Sequence, residues 1–131
     1  MALLFINEID KDVRLGVWKM EENLNYEQFA SLTFYDRLMS LSDGRRKETA
    51  SVYSLLFAMT GNRNLVIGHE PSGKPYVEGY KIGISHTKGF VSVILSTSCD
   101  VAVDIEYINT RVLRIADRFL REDEKPATLL F

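Results

Sequence analysis

Apolar positions recur along this chain with two different periods, and the change between them divides it into elements. Ala2–Ile6 and Arg14–Met20 are apolar runs separated by the turn-forming stretch Asn7-Glu8-Ile9-Asp10-Lys11-Asp12. Both predict strands, the second with Leu15 and Val17 opposite Gly16, Trp18 and Met20. From Asn25 to Leu41 the period lengthens, and Ala30, Phe34, Leu38 and Leu41 share one face of a predicted helix. Ser42-Asp43-Gly44 interrupts that pattern, and Ser42 or Asp43 can cap a second helix from about Arg45 to Met59. Its core stripe is Val52, Leu55, Leu56 and Met59, and Gly61-Asn62 ends it, both residues being tolerant of a left-handed C-cap.

Period two then returns. Leu65–Gly68 predicts a short strand, followed by the loop His69-Glu70-Pro71-Ser72-Gly73-Lys74-Pro75. Tyr80–Ser85, Phe90–Ser96 and Val101–Glu106 alternate, and the short connections between them predict an antiparallel meander. Ile82 and Ile84, Val91, Val93 and Leu95, and Val101, Val103 and Ile105 would line its buried face. The stretch from about Thr110 to Arg121 reads as an amphipathic helix with Val112, Ile115, Ala116, Phe119 and Leu120 together, and Pro126 argues against its continuation. The fold class is therefore α+β: an antiparallel sheet, a meander, packed with helices.

Composition adds bounds rather than direction. The 131 residues suit one ordinary domain, and 46% apolar with 26% charged residues is the make-up of a globular chain. A net charge of −2 gives no global attraction to nucleic acid or membrane, so any anion site must be local. The single cysteine, Cys99, excludes an internal disulfide framework and fits a reducing compartment. The apolar start, Met1–Ile6, is too short for a signal and meets acidic residues at once, and no stretch has the length of a membrane span. A cytoplasmic protein is the expectation.

Chemistry concentrates in four short motifs. In Val101-Ala102-Val103-Asp104-Ile105-Glu106 a strand would place Asp104 and Glu106 on one face, roughly 6–7 Å apart at Cα. Two hard oxygen ligands at that spacing can share one Mg²⁺ and leave room for phosphate and water. Ile84-Ser85-His86-Thr87 offers hydroxyls and an imidazole, groups that grip phosphate oxygens. Arg45-Arg46-Lys47 puts three cations at a helix start, unfavourable against the helix dipole unless an anion offsets them. Gly73-Lys74-Pro75 is not a phosphate loop, since the first glycine is missing and proline holds the hydroxyl position; it is a lysine on a stiff turn. No nucleophile motif is present, so a reaction here would use a metal and an external nucleophile.

In order and spacing these motifs resemble the 4′-phosphopantetheinyl transferase superfamily, in its longer, two-subdomain type. The matching pieces are Arg45-Arg46-Lys47-Glu48, Gly73-Lys74-Pro75, Ile84-Ser85-His86-Thr87, Val103-Asp104-Ile105-Glu106 and Ile115-Ala116-Asp117-Arg118-Phe119-Leu120 leading to Glu124. The resemblance implies transfer of the phosphopantetheine arm of coenzyme A to a serine of an acyl or peptidyl carrier protein. It implies that Arg45 or Arg46 contacts coenzyme A phosphate, that Lys74 and Pro75 flank the nucleotide, and that Ser85 and His86 bind its phosphates. Asp104 and Glu106 would hold Mg²⁺ against the pyrophosphate. Residues 1–100 would form an N-terminal subdomain, and residues 101–131 the first strand and helix of an incomplete second one.

The departures bear on activity. The family carries a W-x-x-K-E segment whose glutamate is a further metal ligand and the usual general base, and here the sole tryptophan is Trp18. Ala102 stands where the family commonly has glycine. A transferase domain cut short, with impaired turnover, is one expectation; a binding relic for coenzyme A, another nucleotide or a carrier protein, without turnover, is the other. Either would leave the face of Val112, Ile115, Phe119 and Leu120 partly exposed and open to self-association.

Overall fold

Two strands, Val13–Lys19 (β2) and Phe90–Ser96 (β6), are buried on both faces and form the middle of the molecule. The computed structural model describes residues 3–120 and 124–130, with Leu120 and the last seven described by backbone alone. β2 pairs on its outer side with Leu3–Asp10 (β1), and β6 pairs with Lys81–Thr87 (β5), giving an antiparallel sheet in the order β1-β2-β6-β5. On one face, Val91, Val93, Leu95, Ile82, Ile84 and Trp18 pack against the helix α2, Asp43–Thr60. Gly16 makes that approach possible, because a Cβ there would lie 2.8 Å from Leu55 Cδ1 and Met59 Sδ. On the other face, Val13, Leu15, Val17 and Ile94 meet Ile105, Leu113, Ile115 and Phe119 of a second, three-stranded sheet. Its strands are Asp100–Asn109 (β7), Val112–Leu120 (β8) and Glu124–Leu130 (β9). The result is α+β, three layers deep, with two hydrophobic cores separated by one sheet.

The helix α2 has the expected extent. Ser42 is its N-cap without a side-chain hydrogen bond, and Gly61 closes it in the left-handed region at φ 69°. The preceding helical expectation holds only in pieces: a 3-10 turn at Tyr26–Phe29, capped by Asn25, and the short α1 at Tyr35–Met39. Phe29, Phe34 and Leu38 all reach the core from this broken path, and the Arg46 guanidinium donates to the carbonyls of Met39 and Leu41, stopping α1 there. The expected strand at Leu65–Gly68 shrinks to Gly68–His69 (β3), paired with Pro75–Tyr76 (β4).

Two expectations are corrected. The stretch read as a helix from Thr110 to Arg121 is strand β8 within the described residues. Its residues satisfy period two as well as 3.6: Leu113, Ile115, Asp117 and Phe119 are buried while Arg114 and Arg118 are exposed. β7 and β9 flank it on both sides and complete its backbone hydrogen bonds, which a lone helix face does not require. The face containing Ile115 and Phe119 is consequently buried against the central sheet, so the exposure expected to drive self-association is absent there; the Leu120 side chain, like Arg121, lies outside the described residues. The meander also breaks between β6 and β7. Both edges of β6 are already taken, by β2 and β5, so β7 starts a separate sheet, and Val101, Val103 and Ile105 face the second core rather than that of Val91 and Val93.

Candidate functional site

β5 is the spine on which the sequence motifs converge. Among the described residues its edge away from β6 is paired by no main-chain ladder, and β7 lies along it. Ser85 Oγ accepts from the Ile105 amide at 3.1 Å, and Thr87 Oγ1 accepts from the Tyr107 amide at 3.1 Å, so hydroxyls replace the missing rungs. Gly83 permits the approach: a Cβ there would stand 2.8 Å from Ile94 Cγ2, 3.1 Å from Ala102 Cα and 3.3 Å from Val103 N.

This contact sets the carboxylates. Alternation in β7 turns Ala102, Asp104 and Glu106 outward and Val103 and Ile105 inward, as the pattern requires. Ser85 Oγ donates to Asp104 Oδ1 at 3.4 Å, so the Ser-His motif and the Asp-x-Glu motif touch through one hydroxyl. Glu106 Oε2 lies 3.4 Å from Arg114 Nη1 of β8 across the ladder, where both side chains are about half exposed (50% and 52%) and the pair is weak. The carboxylates stay open to solvent on one strand face, which fits a Mg²⁺ that keeps several waters. Among the described residues no group of three or more His, Cys, Asp or Glu could hold a metal, so these two make only part of a ligand set.

His86 follows Ser85 and therefore points to the other side of the strand. Its Nδ1 is 3.4 Å from Glu48 Oε2 on α2. Glu48 also lines a cavity of about 340 Å³, floored by Phe34, Leu38, Val52 and Ile84 and edged by Arg37, Arg45 and His69. Within it the Tyr53 hydroxyl is pushed up by burial, an effect opposed by the Ile67 amide it accepts from and by Arg37. The two candidate arginines part company here. Arg46 is committed to structure: it binds Met39 and Leu41 carbonyls at 3.0 and 2.7 Å, pairs with Asp43 at 3.2 Å and lies over the Tyr26 ring. Arg45 is exposed at the cavity edge and is the one available to an anion.

Lys74 and Pro75 lie at a third place. With Tyr80, Lys81, Asp100 and Val101 they line a pocket of about 240 Å³, where the first residues of β5 and β7 meet and Lys81 pairs with Asp100 at 3.3 Å. The structure thus joins Ser85 to Asp104, and His86 to the cavity that Arg45 edges, and puts the lysine turn at the opposite end of β5. A larger concavity, about 850 Å³, is an open groove bounded by Lys19, Met20, Lys47, Glu48 and Phe90. From the sequence alone Glu48 is named only as the last residue of the Arg45-Arg46-Lys47-Glu48 piece and His69 only as a loop residue, and neither is given a role in the site. Nothing local to Glu48 shows that a strand histidine will reach it.

The comparisons give no second route to identity. No family model matches the chain, and no curated protein matches it. Among the described residues no helix is long and apolar enough to cross a membrane.

Proposed function

We propose that this chain is a 4′-phosphopantetheinyl transferase-type protein that binds Mg²⁺ and coenzyme A for transfer of phosphopantetheine to a serine of an acyl or peptidyl carrier protein. The observation that carries this reading is the Ser85 hydroxyl, which accepts from Ile105 and donates to Asp104. Ser85, from one motif, is thereby held beside Asp104, from the other, 19 residues on in the chain, an arrangement that supports a phosphate and a metal sharing this strand face. Asp104 and Glu106 are the residues that would hold Mg²⁺, whose chemistry is to neutralise charge on the pyrophosphate. Ser85 and His86 would bind phosphate oxygens, Arg45 a further phosphate from the edge of its cavity, and Lys74 with Pro75 would flank the nucleotide. Each acts by position and charge, the main source of rate in phosphoryl transfer.

The carboxylate pair lacks a third acidic partner among the described residues. That observation favours, as a second reading, binding of coenzyme A, another nucleotide or a carrier protein without efficient turnover. One pair of measurements separates the outcomes. Calorimetry of coenzyme A with and without Mg²⁺ should show metal-dependent binding to the natural chain that Asp104→Ala loses; equal affinities for the two would refute the metal site. Mass spectrometry of a carrier protein incubated with coenzyme A and the chain then reads turnover: loading supports the transferase, and binding without loading supports the second reading.

A further inference from the structure

We infer that the cavity between α1 and α2 is a site for a small carboxylic acid with an apolar body, its carboxylate held by Tyr53 and Arg37 and its carbon chain by the floor. At about 340 Å³ the cavity has the size of the smaller ligand pockets. Its wall comes from α1, α2, the segment entering β3 and Ile84 of β5. Phe34, Leu38, Val52 and Ile84 make the floor apolar, so a ligand that fills it gains by burying carbon.

The polar end is built round one hydroxyl. Tyr53 is 3% exposed and its ring stacks on Phe34 with centroids 3.8 Å apart, so packing fixes where the hydroxyl stands. Its oxygen accepts from the Ile67 amide at 2.9 Å, with the Arg37 guanidinium beside it. The O–H proton donates to no acceptor among the described residues. A hydroxyl is a donor as well as an acceptor, and buried donors are as a rule satisfied. Burial pushes this hydroxyl up, which keeps the proton on it at neutral pH. The acceptor that completes it has to come from the cavity.

Charge selects the kind of acceptor. Arg37 is exposed and forms no ion pair among the described residues. A carboxylate offers two oxygens, one for the Tyr53 hydroxyl and one for this guanidinium. Arg45 and His69 stand at the mouth, and the acid of the wall, Glu48, faces His86 Nδ1 at 3.4 Å. A tyrosine serving the fold alone would need only the Ile67 bond. The remaining proton and the arginine beside it, set in an apolar cavity, are what point to a ligand. The inference does not depend on the function proposed above, since the acid needs neither Mg²⁺ nor coenzyme A.

Calorimetry of the whole chain with acetate, butanoate and hexanoate at neutral pH tests it. Affinity should rise about fourfold for each added methylene. Hexylammonium, the same chain with the opposite charge, should bind about tenfold more weakly than hexanoate, and would match it if Glu48 rather than Arg37 set the preference. Arg37→Gln should weaken hexanoate about tenfold and leave the thermal melt unchanged. Tyr53→Phe should weaken it similarly; it also deprives the Ile67 amide of its acceptor, so Arg37→Gln carries the test if that variant does not fold. Thr49→Trp, which enlarges a side chain of the α2 wall, should abolish binding, and the Ile67 and Ile84 methyl resonances should shift when hexanoate is added to the natural chain. Absence of hexanoate binding, equal affinity for the natural chain and Arg37→Gln, or equal binding of hexylammonium would overturn the inference. Failure of coenzyme A binding would count against the proposed function and leave the acid site standing.

Discussion

Gly83→Ala is the sharpest test of how the two sheets meet. The added Cβ would lie 2.8 Å from Ile94 Cγ2, but also 3.1 Å from Ala102 Cα and 3.3 Å from Val103 N, and backbone atoms cannot turn aside as a side-chain tip can. Overpacking of this kind costs about 1–3 kcal/mol. Against it stands the reduced chain entropy of the unfolded alanine variant, worth about 0.4–1 kcal/mol. The net expectation is a loss of about 0.5–2 kcal/mol, and a melting temperature lower by about 2–7 °C for a chain of this size. Gly16→Ala is the internal control: its contacts are the Leu55 Cδ1 and Met59 Sδ tips, and a methionine rearranges readily. Thermal melts and urea titrations of both variants decide the matter. Pushing β7 from β5 should also lengthen the Ser85 contacts to Ile105 and Asp104 and weaken metal-dependent coenzyme A binding. If Gly83→Ala proves as stable as the natural chain, or less affected than Gly16→Ala, the close approach of β7 to β5 is refuted.

Two further expectations concern groups outside the site. Asp12 joins the β1–β2 turn to the β6–β7 connection by accepting from Ser98, Thr97 and Ser96. Those bonds, the Ser98 and Thr97 hydroxyls foremost, hold its carboxyl at about 2 against an ordinary 3.8. A depressed carboxyl stabilises the fold above its ordinary value and ceases to do so as pH falls through about 2. Asp12→Asn, which tolerates the same left-handed conformation, should therefore flatten the acid limb of a stability–pH curve, and identical limbs would contradict the role assigned to these bonds. Arg46→Ala should cost about 2 kcal/mol by removing charge-assisted bonds to two carbonyls at the end of α1, whereas Arg45→Ala should stay within about 0.5 kcal/mol. Denaturant unfolding measures both, and the reverse order would show that the wrong arginine has been given the structural task.

Much of the architecture was legible before folding, because it follows from neighbours in sequence. The helix α2, the strands β2, β5 and β6, the first half of β1, the Gly61 cap and the outward pairing of Asp104 with Glu106 all express a local period or a single residue's conformational freedom, whereas residues 7–10, which read as turn, continue β1 by pairing with β2. The α+β class follows from those elements. Separating Arg45 from Arg46 needed the carbonyls of α1, which are structural partners that no local pattern announces.

Where two readings fit the same residues, only the surroundings choose between them. Val112–Leu120 satisfies a helix and a strand, and it becomes a strand because β7 and β9 complete its hydrogen bonds on both sides. β7 reads as the next strand of a meander, yet β6 has no free edge to offer it, so hydroxyls of Ser85 and Thr87 hold it against β5 instead. Periodicity says which way a side chain faces along its own strand. Which edge is free, which layer covers a face and which carboxyl is left without water are properties of the packed molecule.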